Sequence, residues 1–125
     1  SVVQLNYTVA DFTDNFAKIA NAMHQHKTSD LIVFSELCIT GYYPYDLLTY
    51  PQIVSEQNTV IEQIKELTLA VNVAVVIGVA TAIDVPKKLH NSALVIAQGE
   101  IILVGERYGI RLTRVAPAAE RLKNI

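Results

Sequence analysis

The sequence predicts an α/β fold in which helices pack against a mixed β-sheet. Two helical patterns separate the first three strand-like segments, and the last two such segments follow without a helix between them. The strand-like segments are residues 2–7, 31–34, 73–79, 91–97 and 101–105. Hydrophobic residues make up 51% of the 125 residues, which is enough to form the core of about one domain.

The first helical pattern follows the β-branched segment 2–7, and the second fits residues 53–70. Candidate N-caps of the first helix are Asp11, Thr13 and Asp14. Its apolar positions are Phe16, Ile19, Ala20 and Met23, and it ends in the polar run 24–27. The apolar face of the second helix comprises Val60 or Ile61, Ile64, Leu67 and Val71.

The strand-like segments differ in character. The short apolar run 31–34 predicts a strand that is buried on both faces, and residues 73–79 form the strongest strand pattern. A turn is predicted at residues 84–88, and the segments 91–97 and 101–105 bracket Gln98-Gly99-Glu100 as a hairpin. Beyond Tyr108, GIRLT predicts one more strand and APAAERLKN a short helix.

Composition excludes several classes of function. The net charge is −2 and no basic run is longer than Lys87–Lys88, which argues against binding to nucleic acid. No apolar stretch reaches the roughly 20 residues that span a bilayer, so no membrane association is expected. The single cysteine, Cys38, allows no internal disulfide and no multi-cysteine zinc site, and a cytoplasmic location is expected.

Glu36 is the principal candidate for a functional residue. It follows the apolar run 31–34, and ligands of parallel α/β sheets bind beyond the carboxyl ends of strands. A carboxylate in this position is expected to be partly desolvated, as suits a general base. The alternative is a helix cap or a structural acid that accepts hydrogen bonds from nearby backbone amides.

Two further features lie close to Glu36. Cys38 has apolar neighbours and no histidine nearby in sequence, so we interpret it as a buried hydrophobic residue rather than a nucleophile. The four tyrosines Tyr42, Tyr43, Tyr45 and Tyr50 fall within nine residues. They are either ordinary packing residues or the wall of a pocket with polar tips.

The segment FSELCITGYYPYDLL, residues 34–48, resembles the F-P-E-L-x-x-T-G-Y-x-P-x-D-L-L signature of the nitrilase (carbon–nitrogen hydrolase) superfamily. In particular it resembles the glutaminase domain of glutamine-dependent NAD synthetases. Weaker similarities occur in the same order as in the family. They are Gln4-Leu5-Asn6 in the first strand, Asn15 at the helix start, Val76-Ile77-Gly78, and Asn91-Ser92-Ala93 with Gly99.

The resemblance implies an αββα sandwich, a mixed-sheet fold with helices on one face of each sheet, of which this chain supplies about half. It also implies a Glu–Lys–Cys triad that hydrolyses glutamine or another small amide. Glu36 takes the position of the general base, and Tyr42 that of a wall of the substrate pocket. A homo-oligomer is implied, with no cofactor in this domain. ATP and Mg²⁺ belong to the synthetase domain of a longer parent.

The chain departs from the family pattern at three points. Ser35 replaces the usual proline before the glutamate. Ungapped counting from Gly99 places Arg107 where the family has its lysine, and a guanidinium is not an equivalent donor. No cysteine follows Cys38, so the nucleophile is absent from this sequence.

These departures lead to a hypothesis about domain organisation. Residues 1–108 are interpreted as the N-terminal part of the amidase domain, and residues 109–125 as a tail made of discontinuous later pieces of the same domain. The alternatives are a short natural product that keeps half the sandwich, a stand-alone amidase acting on another small amide, and a non-catalytic interaction module.

Overall fold

The computed structural model describes residues 1–42, 50–83 and 88–106, with residues 81–83, 88–91 and 103–106 described by their backbone. Within this part the elements are α1 (Phe12–Gln25), β1 (Leu31–Val33), α2 (Pro51–Val71), β2 (Ala74–Ile83), β3 (Lys88–Ala97) and β4 (Glu100–Glu106). Of the turn predicted at residues 84–88, residues 84–87 lie outside the described residues and Lys88 is the first residue of β3. The strand and helix predicted beyond Tyr108 also lie outside them.

Helix α1 begins where the sequence predicts. The backbone N–H of Asp14 donates to the Asp11 side chain at 3.1 Å, so Asp11 is the N-cap. Ile19 and Met23 are buried as predicted, whereas Phe16 and Ala20 are only half-buried, and Phe12 and Ala22 are buried in addition. Asn15, a polar residue, is also fully buried on this face.

Helix α2 is three residues longer than the 18 predicted. Pro51 occupies the first turn, where its missing N–H costs no hydrogen bond. Asn72 ends the helix in the left-handed conformation with φ 58°, and its N–H donates to the Thr68 carbonyl at 3.0 Å. Val60, Ile61 and Ile64 are buried as predicted, whereas the predicted positions Leu67 and Val71 are only half-buried.

The strands form one mixed sheet in the order β1-β2-β3-β4, which confirms the predicted mixed sheet. β1 is parallel to β2, whereas the β2–β3 and β3–β4 pairs are antiparallel. The strand predicted at residues 2–7 is wrong, since only Val2 pairs, in an isolated parallel bridge to Val33. The β-branched composition of residues 2–7 was therefore not enough to form a strand, because the segment has few backbone partners there.

Both helices lie on one face of the sheet. The register aligns Ile32, Val75 and Ile96, which point to this face and are fully buried in the core with residues of α1 and α2. Val33 and Val76 point to the other face and are half-buried. The expectation that β1 is buried on both faces is therefore wrong, and Leu31 is 36% exposed.

The β3–β4 hairpin is attached to the end of α2. Gln98 and Gly99 form the turn with φ values of 52° and 77°. The Gly99 N–H donates to the Thr68 hydroxyl at 3.0 Å, and the Gln98 amide donates to the Asn72 side chain at 2.7 Å. The predicted hairpin is thus confirmed. Among the described residues no helix has the length and apolar character needed to cross a membrane.

Candidate functional site

The turn that carries Glu36 lies at the carboxyl end of β1. The Phe34 N–H still donates to the Val76 carbonyl at 2.9 Å, and the chain then leaves the sheet in a turn over residues 36–40. Leu37 adopts a positive φ of 49°. The Gly41 N–H closes the turn by donating to the Leu37 carbonyl at 2.8 Å. We refer to residues 36–41 as the Glu36 turn.

Gly78 of β2 lies directly against this turn. A Cβ built on Gly78 would lie 2.6 Å from the Leu37 nitrogen, 2.7 Å from the Glu36 Cα and 2.9 Å from the Ser35 carbonyl oxygen. Since Ile77 and Val79 point to the helices, the Gly78 Cβ position lies on the opposite face of the sheet. The turn can approach the strand this closely only because Gly78 has no side chain.

Asn15 of α1 holds the turn from its other end. Its Oδ1 accepts from the Thr8 N–H at 2.9 Å, and its Nδ2 donates to the carbonyls of Thr8 at 2.7 Å and Ile39 at 2.9 Å. The Ala10 N–H adds a second link by donating to the Thr40 carbonyl at 2.8 Å. The loop before α1 and the Glu36 turn are therefore joined by hydrogen bonds.

The Glu36 side chain is exposed. The expectation that strand-end placement desolvates this carboxylate is wrong, because the Glu36 backbone lies against Gly78 while its side chain is exposed to solvent. An exposed carboxylate on a backbone held by Gly78 and Asn15 can approach a reacting group that is brought to it from another segment. Its role as a general base stays a prediction.

Tyr42 follows the turn directly and is 59% exposed. Gly41, with φ 84°, fixes the direction of the chain before it, and a Cβ at Gly41 would lie 2.7 Å from the Val9 Cα. Tyr50 is also exposed, whereas Tyr43 and Tyr45 lie outside the described residues. Arg107, the position predicted for the family's lysine, is outside them as well, so its proximity to Glu36 stays a prediction.

Cys38 is fully buried, which confirms its interpretation as a buried hydrophobic residue. Burial raises the pKa of its thiol to about 12, although a weak hydrogen bond to the Gly78 carbonyl at 3.9 Å opposes this change. At neutral pH the group is an unreactive neutral thiol.

Tyr7 lies near Cys38, behind the turn. Burial raises the pKa of its hydroxyl above the usual range, and the neighbouring Cys38 acts in the same direction, while Ser35 opposes it. Ser35 lies close, but within the described residues no hydrogen bond of normal geometry reaches the Tyr7 hydroxyl. At neutral pH the Tyr7 hydroxyl and the Cys38 thiol are therefore both uncharged, and neither can act as an ionised catalytic group.

A separate groove lies between α1 and α2. Phe12, Phe16 and Val60 line it together with Thr13, Glu56, Thr59 and Gln63. It includes neither Glu36 nor Tyr42. Within the described ranges no cluster of three histidine, cysteine or acidic side chains could hold a metal ion.

Sequence reasoning assigned no role to Asn15 or Gly78. Both were noted as weak matches to family positions, and that match was the only signal that could have identified them. Their partners are the backbones of Ile39 and Glu36, which lie far away in the sequence. Such contacts follow from the fold and cannot be inferred from local patterns.

Comparison with known protein families gives a match over nearly the whole chain. The family described as carbon-nitrogen hydrolase matches residues 1–123. The glutamine-dependent NAD(+) synthetase of Thermotoga maritima is 33% identical over 104 residues, covering 82% of this chain and 18% of the relative. The corresponding enzyme of Aquifex aeolicus is 31% identical over 109 residues, with 86% and 19% covered. The chain thus spans less than a fifth of the length of these relatives.

Two solved structures share the fold. A glutamine-dependent NAD+ synthetase from Acinetobacter baumannii superposes with a TM-score of 0.76 at 24% identity, over 89% of this chain and 21% of that one. A mutant amidase from Nesterenkonia sp. AN1 carries the acetamide moiety of fluoroacetamide covalently at its active site cysteine. It superposes with a TM-score of 0.72 at 15% identity, over 85% and 41%. These likenesses confirm the predicted mixed α/β fold of the nitrilase type.

Proposed function

Because the chain belongs to the carbon-nitrogen hydrolase family, we propose that it carries the general base, Glu36, of an amide-hydrolysing domain. The substrate proposed first is glutamine, since the curated relatives at 31–33% identity are glutamine-dependent NAD(+) synthetases. The ammonia released would then serve NAD synthesis in a synthetase domain. In this proposal ATP and Mg²⁺ act in that second domain, and the residues described above need no cofactor.

In the proposed reaction, the Glu36 carboxylate accepts the proton of a cysteine thiol. The sulfur attacks the amide carbon, the C–N bond breaks, and the nitrogen leaves as ammonia with the transferred proton. Water then attacks the thioester and releases the acid and the thiol. A lysine stabilises the oxyanion of the tetrahedral intermediate.

The nucleophile is not among the residues described. Cys38 is the single cysteine of the sequence, and its burial and raised pKa are unsuited to nucleophilic attack. We therefore place the nucleophile and the lysine on polypeptide additional to these 125 residues. Tyr42, exposed beside the Glu36 turn, is proposed as a wall of the substrate pocket.

The observation that carries the proposal is the position of Glu36. Its side chain is exposed at the carboxyl end of a parallel strand, while its backbone is held against Gly78. The close backbone contact fixes the place of the carboxylate, as a general base requires. This geometry supports the proposed role of Glu36.

The test is glutamine hydrolysis by the complete gene product with Glu36→Gln. We expect kcat to fall by about 10²–10⁴-fold, the usual contribution of a general base. Glu66→Gln, which changes an exposed carboxylate on α2, is the matched control and should leave the rate unchanged. A Glu36→Gln protein as active as this control would refute the assignment.

A second candidate is a stand-alone amidase that acts on another small amide. It is kept because the Nesterenkonia amidase shares the fold of this chain, with a TM-score of 0.72. Turnover of a panel of small amides, compared with glutamine, separates the two substrates. A third candidate is a non-catalytic interaction module, which predicts no turnover in the complete protein. Separately, thiol-dependent turnover by the 125 residues alone would contradict our placement of the nucleophile.

We also propose that the chain forms a homo-oligomer. Val2 and Leu31 are exposed hydrophobic residues at the β1 edge of the sheet, and Ile101 is exposed on β4 at the other edge. On the face without helices, Val33 and Val76 are half-buried. Exposed apolar surface of this kind favours association. Size-exclusion chromatography with light scattering should give a dimer or larger species, and a monomer at micromolar concentration would refute this proposal.

A further inference from the structure

We infer that Asn15 is a positioning residue that sets the place of the Glu36 turn relative to the sheet. This inference rests on the proposed function only for its catalytic consequence. Its structural part concerns hydrogen bonds between α1 and the turn and can be tested independently of any activity.

The amide of Asn15 is the fully buried group that connects three segments. It sits on α1, it bonds both backbone groups of Thr8, and its Nδ2 donates to the Ile39 carbonyl inside the turn. Because one side chain must both accept and donate here, a carboxylate of the same shape cannot replace it. Loss of one of these buried hydrogen bonds leaves a polar group without a partner, which lowers the stability of the fold.

Helix α1 gives Asn15 a fixed place. The Asn15 N–H donates to the Asp11 carbonyl at 2.9 Å, in the first turn of the capped helix. Ile19 and Met23, on the same buried face, are fully enclosed in the core with Ile32 of β1. Core packing therefore fixes the position of the Asn15 amide. Through its hydrogen bond to the Ile39 carbonyl, the amide in turn fixes the position of the Glu36 turn.

Asn15 and Gly78 constrain the turn in different ways. Gly78 limits how closely residues 35–37 approach β2, whereas Asn15 holds the far end at Ile39. Without the Ile39 bond, the Ala10–Thr40 backbone bond alone would link this end of the turn to the loop before α1, so we expect the turn to shift relative to the sheet. Glu36 is one of the residues at the Gly78 contact and precedes Ile39 in the same turn, so its carboxylate would move with the turn.

The test compares Asn15→Asp with Gln57→Glu in the full chain. Both changes replace a buried amide by a carboxyl of the same shape, and Gln57 also bonds a backbone N–H and carbonyl, those of Ala80. Only Asn15→Asp removes a donor to the Glu36 turn. We expect larger backbone amide chemical-shift changes at residues 36–41 in Asn15→Asp than in Gln57→Glu, at comparable losses of stability.

A second variant covers the case in which Asn15→Asp does not fold. Asn15→Ser keeps a small donor but is too short to bridge Thr8 and Ile39, and it should produce the same pattern of shifts. Equal changes at residues 36–41 in the Asn15 and Gln57 variants would overturn the inference.

The catalytic consequence is measured in the complete gene product. Asn15→Asp should lower kcat by up to about 100-fold, as a misplaced catalytic group does, with a smaller effect on KM. If the turn moves in Asn15→Asp and Glu36→Gln is fully active, the positioning role stands and the proposed function fails. If Glu36→Gln is inactive and Asn15→Asp leaves the turn unmoved, the proposed function stands and the inference fails.

Discussion

The Cα of Glu36 lies against Gly78, so closely that a Cβ on Gly78 would come within 2.7 Å of it. The contact joins the exposed acid to β2, a strand that pairs with β1 on one side and β3 on the other. The position of the Glu36 backbone is therefore set by its contact with β2, in the middle of the sheet.

Gly78→Ala is expected to destabilise the chain and displace the Glu36 turn. The added methyl group meets backbone atoms, which cannot rotate away, so we expect a loss of about 1–3 kcal/mol, as for other overpacked sites. Urea unfolding measures the loss, and amide chemical shifts of residues 35–37 report the displacement. Gly99→Ala is the control for the chemical shifts, because its methyl group meets the Leu69 side chain at the distant hairpin. It also lowers stability, since Gly99 has a φ of 77°, but it should leave the shifts of residues 35–37 unchanged. Unchanged shifts at residues 35–37 in Gly78→Ala would contradict the steric account.

Gln57→Leu should cost more stability than a leucine substitution elsewhere on the same helix. The Gln57 amide donates to the Ala80 carbonyl at 2.7 Å and accepts from the Ala80 N–H at 2.9 Å. Leucine leaves both groups buried without partners, at a cost of about 1–3 kcal/mol for each. Gln63→Leu, at an exposed position of α2, should change the free energy of unfolding by less than about 0.5 kcal/mol. Equal values for the two variants would show that the Ala80 bonds contribute nothing.

Stability should fall as the pH rises above about 9. In the unfolded chain the Cys38 thiol loses its proton near the ordinary pKa of 9.0, whereas burial raises its pKa to about 12 in the fold. Between these values the unfolded state binds fewer protons, so the free energy of unfolding falls by at most about 1.4 kcal/mol per pH unit. The raised pKa of Tyr7 acts in the same direction at still higher pH.

Urea titrations at pH 7 to 10.5 measure this slope. Cys38→Ala serves as the reference, because it removes the thiol but keeps a small apolar group. Its stability should depend less steeply on pH above 9. Superimposable pH profiles for the two proteins would mean that the thiol ionises in the fold as readily as in the unfolded chain.

Asp11→Ala should destabilise α1 by about 0.5–2 kcal/mol, the usual cost of removing an N-cap. The reason is the loss of the bond from the Asp14 N–H, one of the helix-terminal donors without a partner in the helix. Asp30→Ala removes an exposed carboxylate outside the helices and should change little. Thermal unfolding of both variants makes the comparison, and a larger effect at Asp30 would rule out the cap.

The features that the sequence predicted correctly depend on neighbouring residues. The cap at Asp11 and the hairpin around Gln98 and Gly99 are set by residues close in the chain, and so are the positions of both helices. The motif around Glu36 identified the family because it is itself a continuous segment. These parts of the fold could therefore be read from local patterns.

The wrong predictions concern contacts between distant segments. Residues 2–7 have strand composition, yet pairing is limited to Val2, because backbone partners rather than side chains decide where a strand forms. Glu36 was expected to be desolvated at the end of its strand, but its side chain is exposed even though its backbone lies against Gly78. Nor does any local pattern reveal that the polar residues Asn15 and Gln57 are buried.

The mixed pairing of β2 has a consequence for the order of folding. β2, β3 and β4 are successive in the chain and join through short connections, whereas β1 pairs with residues roughly forty positions away. Closing the longer loop costs more chain entropy, so we expect the three-stranded meander to form first and β1 to join it later. An early intermediate would then have most of its sheet and yet lack the turn bearing Glu36.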